Sequence, residues 1–179
     1  WRENMKKVLF AIPLALALTG CGSDIDLVKG GVMEFNQTTT LGKALDNWES
    51  CESREWEEFE TDNGIKVVQF TCQHKISQYM SKAKSLLSEE EQAKANHLDI
   101  ASNIQTFQFT INQGDTFQID NVQVKTTWQD GTSFEDSQKP VEQLETAYAN
   151  NLNFDPAELN EMGAAQISYV FSMIKMRAK

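Results

Sequence analysis

The chain has 179 residues, with 26 Asp and Glu against 16 Lys and Arg and a formal charge of −10. That acidity argues against a nucleic-acid partner, whose affinity comes largely from phosphate neutralisation, and against flat adsorption on anionic lipid. The length suits one domain, or two small subdomains sharing a core.

Met5-Lys6-Lys7 forms a positively charged start, and Val8 to Leu18 an apolar run broken only by Pro13. The run is too short to span a membrane, which takes about 20 apolar residues, and has the length of a secretory signal. Trp1 to Asn4 precede the start expected at Met5 and are left out of fold reasoning. The run ends at Leu18-Thr19-Gly20-Cys21, followed by polar Gly22-Ser23-Asp24. This order of parts resembles the lipobox of bacterial lipoproteins, in which the cysteine is lipidated and becomes the mature N-terminus. The competing reading is an uncut N-terminal anchor with a chance cysteine. The resemblance implies a signal peptide over residues 1–20. It also implies a diacylglyceryl thioether and an N-acyl chain (palmitate chemistry) on Cys21, and two or more chains hold a protein stably in a membrane. Gly22 stands where an aspartate would favour inner-membrane retention in enteric bacteria, so the implied address is the outer membrane, facing periplasm or cell surface.

Cleavage there leaves 13 basic and 25 acidic residues, a formal charge of −12. Residues 21–31, rich in Gly, Ser, Asp and Lys, read as a lipidated tether, and residues 32–179 as the folded domain. With Cys21 lipidated, Cys51 and Cys72 remain as a pair in an oxidising compartment, and a structural disulfide is expected. Two unrelated buried thiols or a redox pair are the alternatives. Redox work needs an activated, exposed thiolate.

Val32 to Phe35 reads as a short strand. Thr38-Thr39-Thr40 supplies N-cap hydroxyls for a helix whose stripe is Leu41, Ala44, Leu45 and Trp48. Arg54 to Glu60 reads as a strand, Asp62-Asn63-Gly64 as a hairpin turn, and Ile65 to Gln73 as the returning strand with Val68, Phe70 and Cys72 on one face. A helix follows over Ile76 to Leu87, and Ser88 with Glu91 makes a capping box for a short second one. Phe107, Phe109 and Ile111 alternate with polar residues, as in a half-buried strand. After a turn at 113–115, Phe117 and Ile119 share one parity and Val122, Val124, Thr126 and Trp128 the other. That phase change predicts a bulge or tight turn at Asp120-Asn121. Asp130-Gly131 turns the chain towards a last strand at Phe134. Val141, Leu144 and Tyr148 mark a helix after Pro140. Asp155-Pro156-x-Glu158 predicts the start of a long C-terminal helix, with Leu159, Met162, Gln166, Tyr169, Val170 and Met173 as one stripe, widened by Ile167, Phe171 and Ile174 to a breadth that needs cover on two sides. Hairpins dominate and no βαβ unit repeats, so the expected class is α+β, a single domain with an antiparallel sheet of hairpins and helices packed on one face.

The common catalytic motifs are absent: no G-x-S-x-G, P-loop, G-x-G-x-x-G or H-E-x-x-H. No nucleophile and base pair by spacing, and neither His74 nor His97 sits at metal-ligand spacing. The expectation is therefore no catalytic residue, no metal and no cofactor. The strip Glu55, Trp56, Glu57, Glu58, Phe59 and Asp62 is the candidate partner-binding surface, against the plainer reading of a solvated strand protected at its edge by charge. The three methionines of the last helix are a second hint, because thioethers suit adaptable surfaces. The size, anchor and layout are similar to small outer-membrane lipoproteins such as assembly-machine accessory subunits. That similarity implies a non-enzymatic binding or scaffold module with a protein partner. The alternative is a periplasmic inhibitor of a cationic hydrolase such as a lysozyme or a protease, which charge would steer together.

Overall fold

The computed structural model describes residues 23–179. Cys21, the lipobox and the signal-peptide reading lie outside the described residues. Two antiparallel sheets and six helices follow one another as α1 (Asp24–Gly30), β1 (Val32–Met33), β2 (Asn36–Thr40), α2 (Leu41–Asp46), β3 (Cys51–Glu60), β4 (Lys66–His74), α3 (Ser77–Ser85), α4 (Glu89–Gln92), β5 (Ile100–Asn112), β6 (Thr116–Trp128), β7 (Ser133–Gln138), α5 (Pro140–Tyr148) and α6 (Glu161–Lys175). Strands β3 to β7 form one meander in chain order, and β1 pairs with β2 alone. The expected α+β class with an antiparallel sheet is the observed one.

The first correction falls on residues 21–31. Residues 24–30 are a helix of the folded domain, not a tether. Ser23 caps it by accepting the Asp26 N–H while the Asp26 carboxylate accepts the Ser23 N–H, a complete capping box. Val28 is fully buried. The helix lies so close to α2 that a Cβ on Gly42 would stand 2.7 Å from Lys29 Cβ and 2.9 Å from the Lys29 carbonyl oxygen. The polar composition concealed a short amphipathic segment whose one buried valine decides its place. The threonine run is likewise a strand, β2, in which only Thr40 acts as the N-cap of α2, accepting the Lys43 N–H.

In the main sheet, alternation settles register. Val68, Phe70 and Cys72 of β4 are fully buried, as are Phe107 and Phe109 of β5. The β3–β4 hairpin closes through 61–65, with Gly64 at φ +77°, where a side chain is disfavoured. The bulge expected at Asp120 is present: Gln108 pairs with Asn121 and Phe109 with Ile119, leaving Asp120 over. Its carboxylate accepts from Thr110 Oγ1 and from Gln118 Nε2. The opposite sheet face is polar. There Asn121 donates to Gln108, Gln108 to Gln69, and Gln69 to Glu57, an amide ladder across four strands.

Two buried clusters fill the helix-covered face. One joins α1, α2, α5 and the middle of the sheet through Val28, Leu41, Leu45, Trp48, Phe70, Phe107, Phe109 and Leu144. The other joins α3, α6 and the far end of the sheet through Ile76, Met80, Leu98, Ile100, Trp128 and Phe171. Cys51 and Cys72 form a disulfide, with Cα atoms 5.3 Å apart, that ties the start of β3 to the end of β4.

The second correction concerns the C-terminal helix. Asp155 does cap, but only a single 3-10 turn at Pro156–Glu158, after which Leu159 is extended. The helix proper starts at Glu161, capped by Asn160, whose Oδ1 accepts the Gly163 N–H at 2.9 Å. Of the broad apolar stripe expected on this helix, only one side is covered. Ala164 and Phe171 are buried, with Ile167 and Ile174 packed beside them, whereas Met162, Tyr169, Val170 and Met173 face solvent. Polar anchors set this phase: Ser168 Oγ lies 2.7 Å from His97 Nε2, and Lys175 Nζ 2.7 Å from Asp130 Oδ2.

Candidate binding surfaces

The acidic strip divides between the two faces of β3, an edge strand. Trp56 and Glu58 pair with Phe70 and Val68 on the covered face, and Glu55, Glu57 and Phe59 pair with Thr71, Gln69 and Val67 on the polar one. Trp56 is committed to the fold. Its ring lies 4.9 Å from Phe70, its Nε1–H donates to Asp46 at 2.7 Å, and the Lys29 ammonium sits 5.3 Å above it. Glu58 accepts the Ile25 N–H at 3.2 Å, pinning α1, and Glu57 ends the amide ladder. Glu55, Phe59 and Asp62 remain turned to solvent. The six residues are one sequence strip but not one surface.

The outward face of α6 is more continuous. Met162 is 82% exposed, Tyr169 66%, Met176 71% and Met173 37%. Positions 162, 166, 169, 173 and 176 step by four and three residues, which lines them along one side of a helix. Sequence reasoning left the methionines between a binding surface and the core, and the structure puts them on the surface.

A third feature is a cleft of about 460 Å³ on the helix-covered face, between the two clusters and roofed by α5 and α6. Its floor follows two rows of the register: Val124 and Asp136, then Asn103, Thr126 and Phe134. His74, Gln143, Thr146, Asn153, Phe154 and Phe171 complete the walls, with Asp136 and Arg177 exposed at the rim.

Behind the wall runs a buried chain of polar groups. Ser50 Oγ lies 2.9 Å from His74 Nδ1, His74 Nε2 lies 2.8 Å from Gln105 Oε1, and Gln105 Nε2 donates to Gln143 Oε1 at 2.9 Å. Because that amide spends its N–H on Gln143, its oxygen must accept from the ring. In that orientation Nε2–H faces the Gln105 oxygen, with the Asn153 amide nitrogen 3.3 Å from the same Nε2. Burial holds the His74 pKa below the usual histidine value, opposed in part by the Gln105 side chain and by the Ser50 backbone. Ser50 is itself 3% exposed, and its oxygen accepts the Asn153 N–H at 3.1 Å. A serine and a histidine at this distance have the elements of a nucleophile and base. Here the pair is buried and links the residue before β3 to the loop after α5.

Sequence reasoning missed Asn103, Gln105 and Asn153. The first two were accessible to it: they share the parity of Phe107 and Phe109 on β5, so alternation alone turns their amides inward. Among the described residues, no group of three or more His, Cys, Asp or Glu is placed to hold a metal ion.

Residues 5–21 match the model of the prokaryotic membrane lipoprotein lipid attachment site. No curated protein and no solved structure matches the chain. The N-terminal segment thus carries a bacterial lipoprotein's attachment site, and no more specific family is found.

Proposed function

We propose that this lipid-anchored envelope protein is a non-enzymatic binding or scaffold module of the outer membrane that holds a protein partner against the outward face of α6. The carrying observation is the seam of Met162, Tyr169, Met173 and Met176, large apolar side chains left in solvent beside a complete core. Methionine-rich surfaces adapt to a partner's shape, and tyrosine adds contact area with a polar edge.

The position of α6 fits such a role. One residue separates Cys21 from Ser23, the N-cap of α1, so α1 is held close to the bilayer. Around α1 gather Glu58, Lys66 and Phe117, at the end of the sheet that bears the 61–65 and 113–115 turns. Helix α6 packs at the other end, beside Trp128, Asp130 and Ser133. Strand β5 joins the two ends with 13 residues, roughly 40 Å at about 3.3 Å per residue. The seam is therefore carried away from the membrane. The inhibitor reading rests on charge alone, because Trp56 belongs to the protein's own core.

Photo-crosslinking from single sites in the lipidated protein tests this. A photoreactive residue at 162, 169 or 173 is expected to join one envelope protein in a capture that survives high salt. The same residue at Glu55 should give nothing. Met173→Lys should weaken the capture at least tenfold. Crosslinks from Glu55 but not from α6, lost at high salt, would overturn the proposal in favour of inhibition.

A further inference from the structure

The cleft roofed by α5 and α6 contains an unusual polar group. Asn103 is 3% exposed and lines the cleft floor. Its Nδ2 donates to Thr126 Oγ1 at 2.9 Å. Its Oδ1 has no hydrogen-bond partner, one of two such buried side-chain atoms among the described residues, the other being the Tyr148 hydroxyl. Turning the amide over would exchange the atoms and still leave one end unpaired. Leaving a buried amide oxygen unsatisfied is unfavourable, and a leucine at this place in the strand would avoid the penalty.

The rest of the lining says what would satisfy it. Besides Asn103 the cleft is lined by the neutral hydrogen-bonding side chains of Thr126, Gln138, Gln143, Thr146 and Asn153, and by the buried His74 imidazole. Amides and hydroxyls both donate and accept, as vicinal hydroxyls do. Phe134, Phe154 and Phe171 add three rings, matched by a ligand with an apolar C–H face. The charged groups of the lining, Asp136 and Arg177, are exposed, so the buried part of a ligand meets no ionic partner and must itself be uncharged. A volume of about 460 Å³ is within the range of small-molecule sites and takes one ring or two.

We propose that this cleft binds a neutral sugar unit, for which the Asn103 amide turns outward so that Oδ1 accepts a hydrogen bond from a hydroxyl or acetamido group. This site is separate from the α6 seam, whose outward residues do not line it, so either reading can fail without the other.

The test is titration of the whole protein, lipidated and in detergent, with glucose, N-acetylglucosamine and the β-1,4-linked dimer of the latter. Side-chain amide resonances of Asn103 and Gln143 are followed by NMR. The expected result is a saturable shift at both amides, with binding at least tenfold weaker in Asn103→Leu. Glucuronate and glucosamine, charged analogues of the same ring, should bind at least tenfold more weakly than the neutral sugars. A dimer that binds tightest indicates a glycan chain as the natural occupant, and an equal or better monosaccharide a free sugar. Both support the site. If Asn103→Leu does not fold, Thr146→Leu, on the helical wall, should obstruct the cleft and weaken binding similarly. Three results would overturn the proposal: no shift with any neutral sugar, shifts that persist unchanged in the variant, or equal affinity for the charged analogues.

Discussion

The two buried clusters are built by different means. The cluster near the lipid anchor is made by strands distant in sequence and by aromatic packing, Trp56, Phe70, Phe107 and Trp48 touching in series. It is locked by a disulfide and covered by α1, α2 and α5. The far cluster is assembled largely from helices around Trp128, whose indole N–H donates to the His97 carbonyl at 2.8 Å. No disulfide holds it, and its last helix shows solvent an apolar face. The end of the domain that carries α1 is thus the rigid one, and the end that carries α6 has the adaptable surface. Local stabilities in one domain differ in this way, and binding elements are drawn from the less stable portion.

The strongest challenge to that division is a cavity at the centre of the first cluster. Phe107→Ala removes a fully buried ring that touches Phe70 and Trp48, and the expected loss is about 3–5 kcal/mol of unfolding free energy. Phe171→Ala, in the far cluster at 6% exposure, should lose less, because α6 can settle inward over the gap. Urea titration of both variants checks this. Equal losses would mean that the two clusters are one cooperative core.

Next in size is the covalent lock. The Cys51–Cys72 link closes a loop with a sequence separation of 21, and in the chain-entropy model its removal costs about 3 kcal/mol. Replacing both cysteines by alanine should lower stability by about that amount. Hydrogen exchange should quicken in β3 and β4 while remaining nearly unchanged in α6. Faster exchange throughout would show that the disulfide supports the whole domain rather than its anchored end.

The same division explains what the sequence revealed. Where a sheet is covered on one face, period-two alternation carries the answer, and β4, β5 and even the displaced Asp120 were legible from parity. The Cys51–Cys72 pair was legible from count and compartment. The existence of α6 was legible, but which part of its broad apolar stripe is covered was not, because periodicity alone does not choose between its two sides. Ser168 and Lys175 choose the phase through His97 and Asp130, partners that only the tertiary structure supplies. Helix α1 was lost to its composition, since four of its seven residues are Asp, Lys or Gly. The cleft was half legible: the inward parity of Asn103 and Gln105 was visible, but that one amide ends unpartnered depends on the angle between α5, α6 and the floor.

The smallest expected effect tests where the two ends meet. His74 stands between them, touching Trp48 of one cluster and Phe154 of the other at ring-centroid distances of 5.2 and 5.7 Å. Its polar neighbours, Ser50, Gln105 and Asn153, are all uncharged. Burial lowers its pKa in the folded protein, so below about pH 6.5 the unfolded chain takes up a proton that the folded chain refuses. Stability must then fall as the pH falls through that value, by at most about 1.4 kcal/mol per pH unit for this one group, and be unaffected by it above about pH 7.5. His97 acts in the same direction, its pKa lowered mainly by burial and raised in part by Asp99. Asp130, held at about 2 by Lys175 and Thr132, loses its contribution only between its ordinary carboxylate value and that lower one, below the window considered. Denaturant midpoints between pH 5 and 7.5 should therefore slope downward towards acid. His74→Gln should be less stable at pH 7.5 yet show a flatter slope. An unchanged slope in that variant would mean that the imidazole is solvated in the folded protein, and that the two clusters do not close over it.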